Sequence, residues 1–386
     1  MAVVAIALLV VGVSGTIVRP WRLPAWLFPV TAAGLALVVG VMGPADVLSG
    51  LGPLVEPIAF LLLAVPLAVA LDGLGVFAAA AAVMAGRRLA VGMWLMCAVA
   101  VAVLNLDAAV VLYTPLAIAV ARRRGLDPVA MAFQPALLAC LASSALPVSN
   151  LTNLIAVAQG DVEAATLTAR LLLPTLAACT VGYFGWRVAF RHRRLTALTP
   201  DRRVVTDRRP LVLGAVVLGA LLLGFLVGGA VGVPAWVVVA AVDIGVFSVG
   251  RRVPWSAIPW GTAAVAAGLA VVAAAAADRT GLAERLVADG TWSQALLGAG
   301  AANVLNNLPA FLLAVPHTES SDQVLALLLG VNIGPTVLVT GSLSGLLWLD
   351  AARRSGLALR GRDYARVGLI AGVPALLAAV TVLSLT

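Results

Sequence analysis

The chain has 386 residues, 62% of them hydrophobic and only 11% charged, with a formal net charge of +8. A soluble domain is about half apolar and about a quarter charged, so this composition excludes one and points to an integral membrane protein. All 25 basic residues are arginines, most of them in loops between apolar runs, which a bilayer surface accounts for better than nucleic acid does.

Apolar runs at 2–18, 25–42 and 54–71 open the chain, each about long enough to span a bilayer. The first ten residues, MAVVAIALLV, have no basic start and read as the beginning of a span rather than a cleavable signal. Segment 90–121 follows, with Arg87 and Arg88 before it and Arg122 to Arg124 behind it. An apolar segment flanked by arginines at both ends enters and leaves on the cytoplasmic side, so 90–121 is expected to be a re-entrant hairpin. Next come a span at 131–158, interrupted by SSALPVSNLTN (143–153), and a span at 166–190. The block RHRRLTALTPDRRVVTDRR (191–209) reads as a cytoplasmic linker.

Beyond the linker the list repeats, with spans at 211–230, 234–249 and 259–277. Segment 291–316 lies between LAERLVADG and HTESSD, which carry no excess of arginine, and is expected to be a hairpin entered from outside. A span at 323–350, interrupted by NIGPTVLVTGSLSG (332–345), and one at 366–385 complete the chain. The expected fold is therefore all-α and integral to the membrane. It has about ten spans, two re-entrant hairpins and two interrupted helices, arranged as an inverted repeat of 1–190 and 210–386 with both termini outside. The text of the halves agrees loosely: LNLDAAVVL with LNNLPAFLL, and SNLTNL with GSLSGL.

Polar residues cluster where the spans are least regular. Backbone that leaves helical geometry inside a bilayer must line a cavity or be buried in protein. The first hairpin tip offers Asn105 and Asp107, and the second offers Asn303, Asn306 and Asn307. The interrupted spans contribute Ser149, Asn150, Thr152 and Asn153 beside Pro147, and Asn332, Ser342 and Ser344 beside Gly334 and Pro335. Two tips and two breaks are expected to enclose one midplane site for a solute or ion, the arrangement of secondary transporters. A carboxylate at membrane depth is costly, so Asp107 is the first candidate for a coupling role, and Asp243 in VVVAAVDIGVF is the second.

Other chemistries find little support. Cys97, Cys140 and Cys179 stand far apart in apolar text, with no CxxC or Cys/His cluster, so no metal or other cofactor is expected. The histidines, His192 and His317, fall in loops and leave no base for a serine nucleophile in the bilayer. In GSLSG (341–345), Leu343 occupies the place of the nucleophile, and no HExxH motif occurs. An enzyme is not expected.

The runs LNLDAAVVLYTP, LPVSNLTNLIA, NVLNNLPAFLL and NIGPTVLVTGSLSGLLWL together resemble the ArsB-type arsenite/antimonite permeases. These belong to the ion-transporter superfamily that also holds the divalent anion/sodium symporters. The resemblance covers most of the chain and is densest at 100–158 and 298–350. It implies extrusion of trivalent arsenic or antimony hydroxides across a bacterial-type plasma membrane, in exchange for protons. A soluble ATPase subunit and a homodimer are partners the resemblance leaves open, and sodium is the alternative coupling ion. The family's first tip reads Asn-Asp, whereas here Leu106 separates Asn105 from Asp107. Symport of small organic or inorganic anions ranks second, because no arginine sits at a tip or break.

Overall fold

The computed structural model describes residues 1–83, 88–193, 195 and 208–386. Most of the expected linker, together with Arg87, lies outside them. Among the described residues the chain is helical and contains no strand, as a bilayer requires of a chain that does not close into a barrel.

The first half runs α1 (Ala2–Val18), α2 (Leu27–Val38), α3 (Pro44–Leu51), α4 (Val55–Gly73), α5 (Val76–Val83), α6 (Leu89–Leu104), α7 (Leu106–Arg124), α8 (Pro128–Leu141), α9 (Leu151–Gln159) and α10 (Ala164–Ala189). The second half runs α11 (Arg209–Val231), α12 (Ala235–Gly250), α13 (Trp260–Thr280), α14 (Thr291–Leu305), α15 (Asn307–Ala314), α16 (Ser321–Ile333), α17 (Leu343–Arg354) and α18 (Gly361–Leu385). Among the described residues, five stretches are long and apolar enough to cross a membrane: Pro44–Gly73, Ala164–Ala189, Arg209–Gly229, Trp255–Ala277 and Gly361–Leu385. Shorter apolar helices include α1, α2, α6, α8 and α12.

Two groups of helices pack around separate seams. In one, α1, α2 and α13 pack on one another, and α4 packs on α12. In the other, α10 lies along α18, α14 along α16, and α7 along α8 and α17. Small residues let helix backbones approach closely where no hydrophobic drive separates protein from lipid. A Cβ at Gly330 of α16 would run into the Ala295 carbonyl of α14, and one at Gly368 of α18 would run into the Thr336 carbonyl. Two buried tryptophans tie α8 to its neighbours. Trp186 of α10 donates to the Ala130 carbonyl at 2.8 Å, and Trp348 of α17 donates to the Ala132 carbonyl at 2.7 Å.

Three arginine-bearing loops share one face. Arg122 donates to the Ser355 carbonyl at 2.8 Å, and Arg193 pairs with Asp127 at 3.1 Å. Arg354 pairs with Asp350 one turn back, at 2.6 Å, as expected for an acid ending a span beside arginines.

The polar stretches are where the helices stop. α6 and α7 are joined through one residue, Asn105 (φ 83, ψ 149), and α14 and α15 through Asn306 (φ 80, ψ 150). The breaks agree in the same way: Asn150 before α9 has φ −145 and ψ 147, and Ser342 before α17 has φ −146 and ψ 156. The Asn105 and Asn306 backbones lie near a region that glycine alone adopts without strain. Asparagine is retained because its side chain caps the helix it begins. Asn105 Oδ1 accepts from Asp107 N–H at 3.0 Å, and Asn306 Oδ1 accepts from Leu308 N–H at 3.4 Å.

Two stability measurements follow from this packing. Asn105→Gly and Asn306→Gly should be more stable than the matching alanine variants by about 1–3 kcal/mol, because glycine removes the backbone strain that alanine keeps, and loses only the cap. Equal losses for both types, in thermal unfolding of the detergent-solubilised protein, would mean the positive φ carries no penalty. Gly330→Ala should destabilise by about 1–3 kcal/mol through overpacking against α14, and an unchanged unfolding temperature would contradict that close approach.

Candidate functional site

Each discontinuity starts a helix, and the four helices start at one place. The N-termini of α7, α9, α15 and α17 line a single cavity of about 40 Å³. The backbone N–H groups of a helix's first turn have no partner within the helix, and the aligned peptide dipoles put roughly half a positive charge there. The C-terminal ends of α6 and α14 stand one residue away at the same tips, while four N-terminal ends turn partial positive charge towards the cavity with no arginine among its lining residues. Among the cavity-lining residues, Asp107 carries the formal charge that opposes them.

Asp107 stands in the first turn of α7, and its Oδ1 is buried without a hydrogen-bond partner. Asn150 and Thr152 reach the cavity from the first break, and Ser342 and Ser344 from the second. Asn306 and Asn307 reach it from the second tip. The remaining wall is α13, through Thr262, Val265, Ala266 and Leu269, whose spacing places them on one helix face. This wall was not foreseen from sequence. Apart from Thr262 its residues are apolar, and no signal separates them from the rest of the span.

Other expected site residues stand behind the lining and satisfy the broken backbone. Ser149 donates to the Leu146 and Ser143 carbonyls at 2.6 and 2.7 Å. The Asn153 amide donates to the same two carbonyls at 3.0 and 2.9 Å. Asn303 does the equivalent work in the second half, donating to the Gly334 carbonyl at 2.8 Å and accepting from Leu338 N–H at 2.9 Å. Asn306 Nδ2 adds a bond to the Thr340 carbonyl at 3.2 Å, so the second tip and the second break are stitched together. Asn105 is buried behind the first tip as its cap. Asn332, also buried, sits at the end of α16 amid the polar groups of the first break.

Asp243 does not join the cluster. It is buried on α12, the helix that packs on α4, and neither of its carboxyl oxygens has a hydrogen-bond partner. Cys97 and Cys140 are buried and Cys179 is half-buried, all three as free thiols. No group of His, Cys, Asp and Glu with metal-binding geometry occurs among the described residues.

The arrangement suits an oxygen-rich solute. Amide donors converge from four directions, one carboxylate accepts, and amide and hydroxyl side chains supply both functions. Comparison with known proteins agrees with a transport role. The arsenical pump membrane proteins of Escherichia coli (strain K12) and Shigella flexneri are each 25% identical to this chain over 400 residues, covering 92% of this chain and 91% of theirs. The arsenical pump membrane protein of Yersinia enterocolitica is 27% identical over 112 residues, covering 27% of this chain and 26% of its own. The family described as "Citrate transporter" matches residues 3–359. With nearly its whole length matched, and four helix N-termini gathered on one buried cavity, the chain belongs to this citrate transporter family and is a multi-pass membrane transporter.

Proposed function

We propose that this chain is a secondary active transporter that extrudes small trivalent arsenic or antimony hydroxides in exchange for protons. The observation that carries the reading is the cavity, where four helix N-termini and one carboxylate enclose about 40 Å³. That volume accommodates a solute of a few non-hydrogen atoms. The hydroxyls of an uncharged hydroxide donate to Asp107, and its oxygens accept from the amides. The names of the arsenical pump relatives point the same way.

Asp107 is the coupling group in this reading, because an unpaired carboxylate facing a cavity at membrane depth can load and release a proton. Asp243 is a further proton site in the neighbouring helix group. Residues 1–190 and 210–386 form the inverted repeat, supported by the matching dihedrals of the two tips and of the two breaks. The termini lie outside and 191–209 lies in the cytoplasm, in keeping with the shared face of the loops bearing Arg122, Arg193 and Arg354. A soluble ATPase subunit and a second copy of the chain are partners that this reading leaves open.

Symport of a small anion is the second reading. It is favoured by the positive character of the four N-termini, which removes the need for an arginine at a tip, and by the family's description.

Arsenite accumulation in everted membrane vesicles, energised to carry a proton gradient, tests the proposal. The parent chain should accumulate arsenite only with the gradient present. Asp107→Asn should raise the half-saturating concentration about ten- to hundredfold, as expected for a lost charge-assisted hydrogen bond of about 1.5–3 kcal/mol, and should uncouple uptake from the gradient. Inserted protein that moves citrate or another anion but no arsenite would establish the second reading instead.

A further inference from the structure

The polar groups around the cavity are not equally free to meet a solute, and the inequality follows from one residue. Asn332, on α16, makes four side-chain hydrogen bonds, all to the first break. Its Oδ1 accepts from Asn150 Nδ2 and from Thr152 Oγ1, each at 2.8 Å. Its Nδ2 donates to Asn153 Oδ1 at 2.8 Å and to Ser144 Oγ at 3.2 Å. An amide side chain has two donor hydrogens and two acceptor lone pairs, so Asn332 is fully used. Asn150 is half used, giving one amide hydrogen to Asn332 and accepting at Oδ1 from Thr152 N–H at 3.4 Å.

The second break has no counterpart to Asn332. Ser342 and Ser344 hydrogen-bond to each other, and Ser342 Oγ also accepts from Gly345 N–H at 3.3 Å. Two hydroxyls carry two hydrogens and one lies between them, which leaves one O–H with no acceptor among the described residues. Both residues line the cavity and are at most 2% exposed. Asn307, also lining it, has no side-chain hydrogen bond among the described residues, whereas its neighbour Asn306 is bonded to Thr340 and Leu308. A solute in the cavity can engage the Asn307 amide and the spare serine O–H, as well as Asp107 Oδ1, which is buried without a partner.

We propose that Asn332 is a positioning residue that locks the first break, and that the solute is recognised by Asp107, Asn307 and the Ser342–Ser344 pair. Asn150 and Thr152 form the cavity wall, but each gives a side-chain hydrogen to Asn332, which fixes their orientation away from the solute. Together, the recognition groups offer an acceptor from the first tip and donors from the second tip and the second break. The solute that satisfies them carries hydroxyl groups as well as lone pairs. A fully ionised oxyanion has no hydrogen to give Asp107. The inference rests on the transport reading above for its solute, but not for its clamp.

Two measurements on the full-length protein separate these parts. Amide hydrogen exchange without solute examines the clamp. Asn332→Ala should speed exchange across 143–153 by about tenfold or more, because opening there loses its main restraint. Asn332→Asp keeps the acceptor for Asn150 and Thr152, so it should speed exchange less, and it serves if the alanine variant does not fold. Unchanged exchange in the variant that folds would overturn the clamp. Arsenite transport by the protein in liposomes examines recognition. Asn307→Ala and Ser344→Ala should raise the half-saturating concentration about tenfold each, the loss of one good hydrogen bond. Thr152→Val should lower the maximal rate while moving half-saturation less than about twofold. A Thr152→Val shift as large as that of Ser344→Ala would place the first break in direct contact with solute and overturn the assignment. If the parent chain moves no arsenite, the transport reading falls, and the exchange result still decides the role of Asn332.

Discussion

Inside a bilayer every backbone N–H and C=O must find a partner within the protein, and this chain interrupts its helices where that demand is hardest to meet. The cost of each interruption explains the residues around it. Asn303 and Asn153 occupy carbonyls left free by the breaks beside Pro335 and Pro147. Asn105 and Asn306 accept strained backbone angles so that each can cap the helix it opens. Four helix starts are thereby held open towards one point, where their unpaired amides face a cavity rather than lipid. The binding character of the site is a by-product of solving the backbone problem.

The two halves solve it differently, and this divides labour among like residues. The second tip and break are joined directly through Asn303 and Asn306. The first break is held at a distance by Asn332, which belongs to the other half of the chain. The first tip is capped by its own Asn105 and presents Asp107 without a partner. Near-identical backbones thus carry unlike chemistry, with the charge at one tip and free hydroxyl and amide groups at the opposite break and tip.

Much of this was legible in the sequence, for physical reasons that set its limits. Long apolar runs and proline- or glycine-marked interruptions are local signals, so the span at 166–190 emerges as Ala164–Ala189 and the first tip falls at Asn105. The candidate polar residues were visible because an asparagine among leucines is conspicuous. Their ranking was not. Asn332 and Asn150 look alike in a string of letters, and only the fold brings two residues 182 positions apart to 2.8 Å. Asp243 and Asp107 look alike too, yet one lies on α12 beside α4 and the other in the cavity. The α13 wall left no trace because its residues are small and apolar, like most of the chain.

Helix α8 ends at the first break, and two indoles report on it. Trp186 and Trp348 come from opposite halves of the chain and donate to carbonyls two residues apart on that helix. Both rings are buried, and each lies within an aromatic cluster, Trp186 beside Trp94 and Trp348 beside Phe133 and Tyr364. A rotation or slide of α8 would alter the hydrogen bond and the ring surroundings of both together. The protein thus carries a native optical gauge at the far end of α8, and movement of that helix with the first break should register in ultraviolet emission without any attached dye.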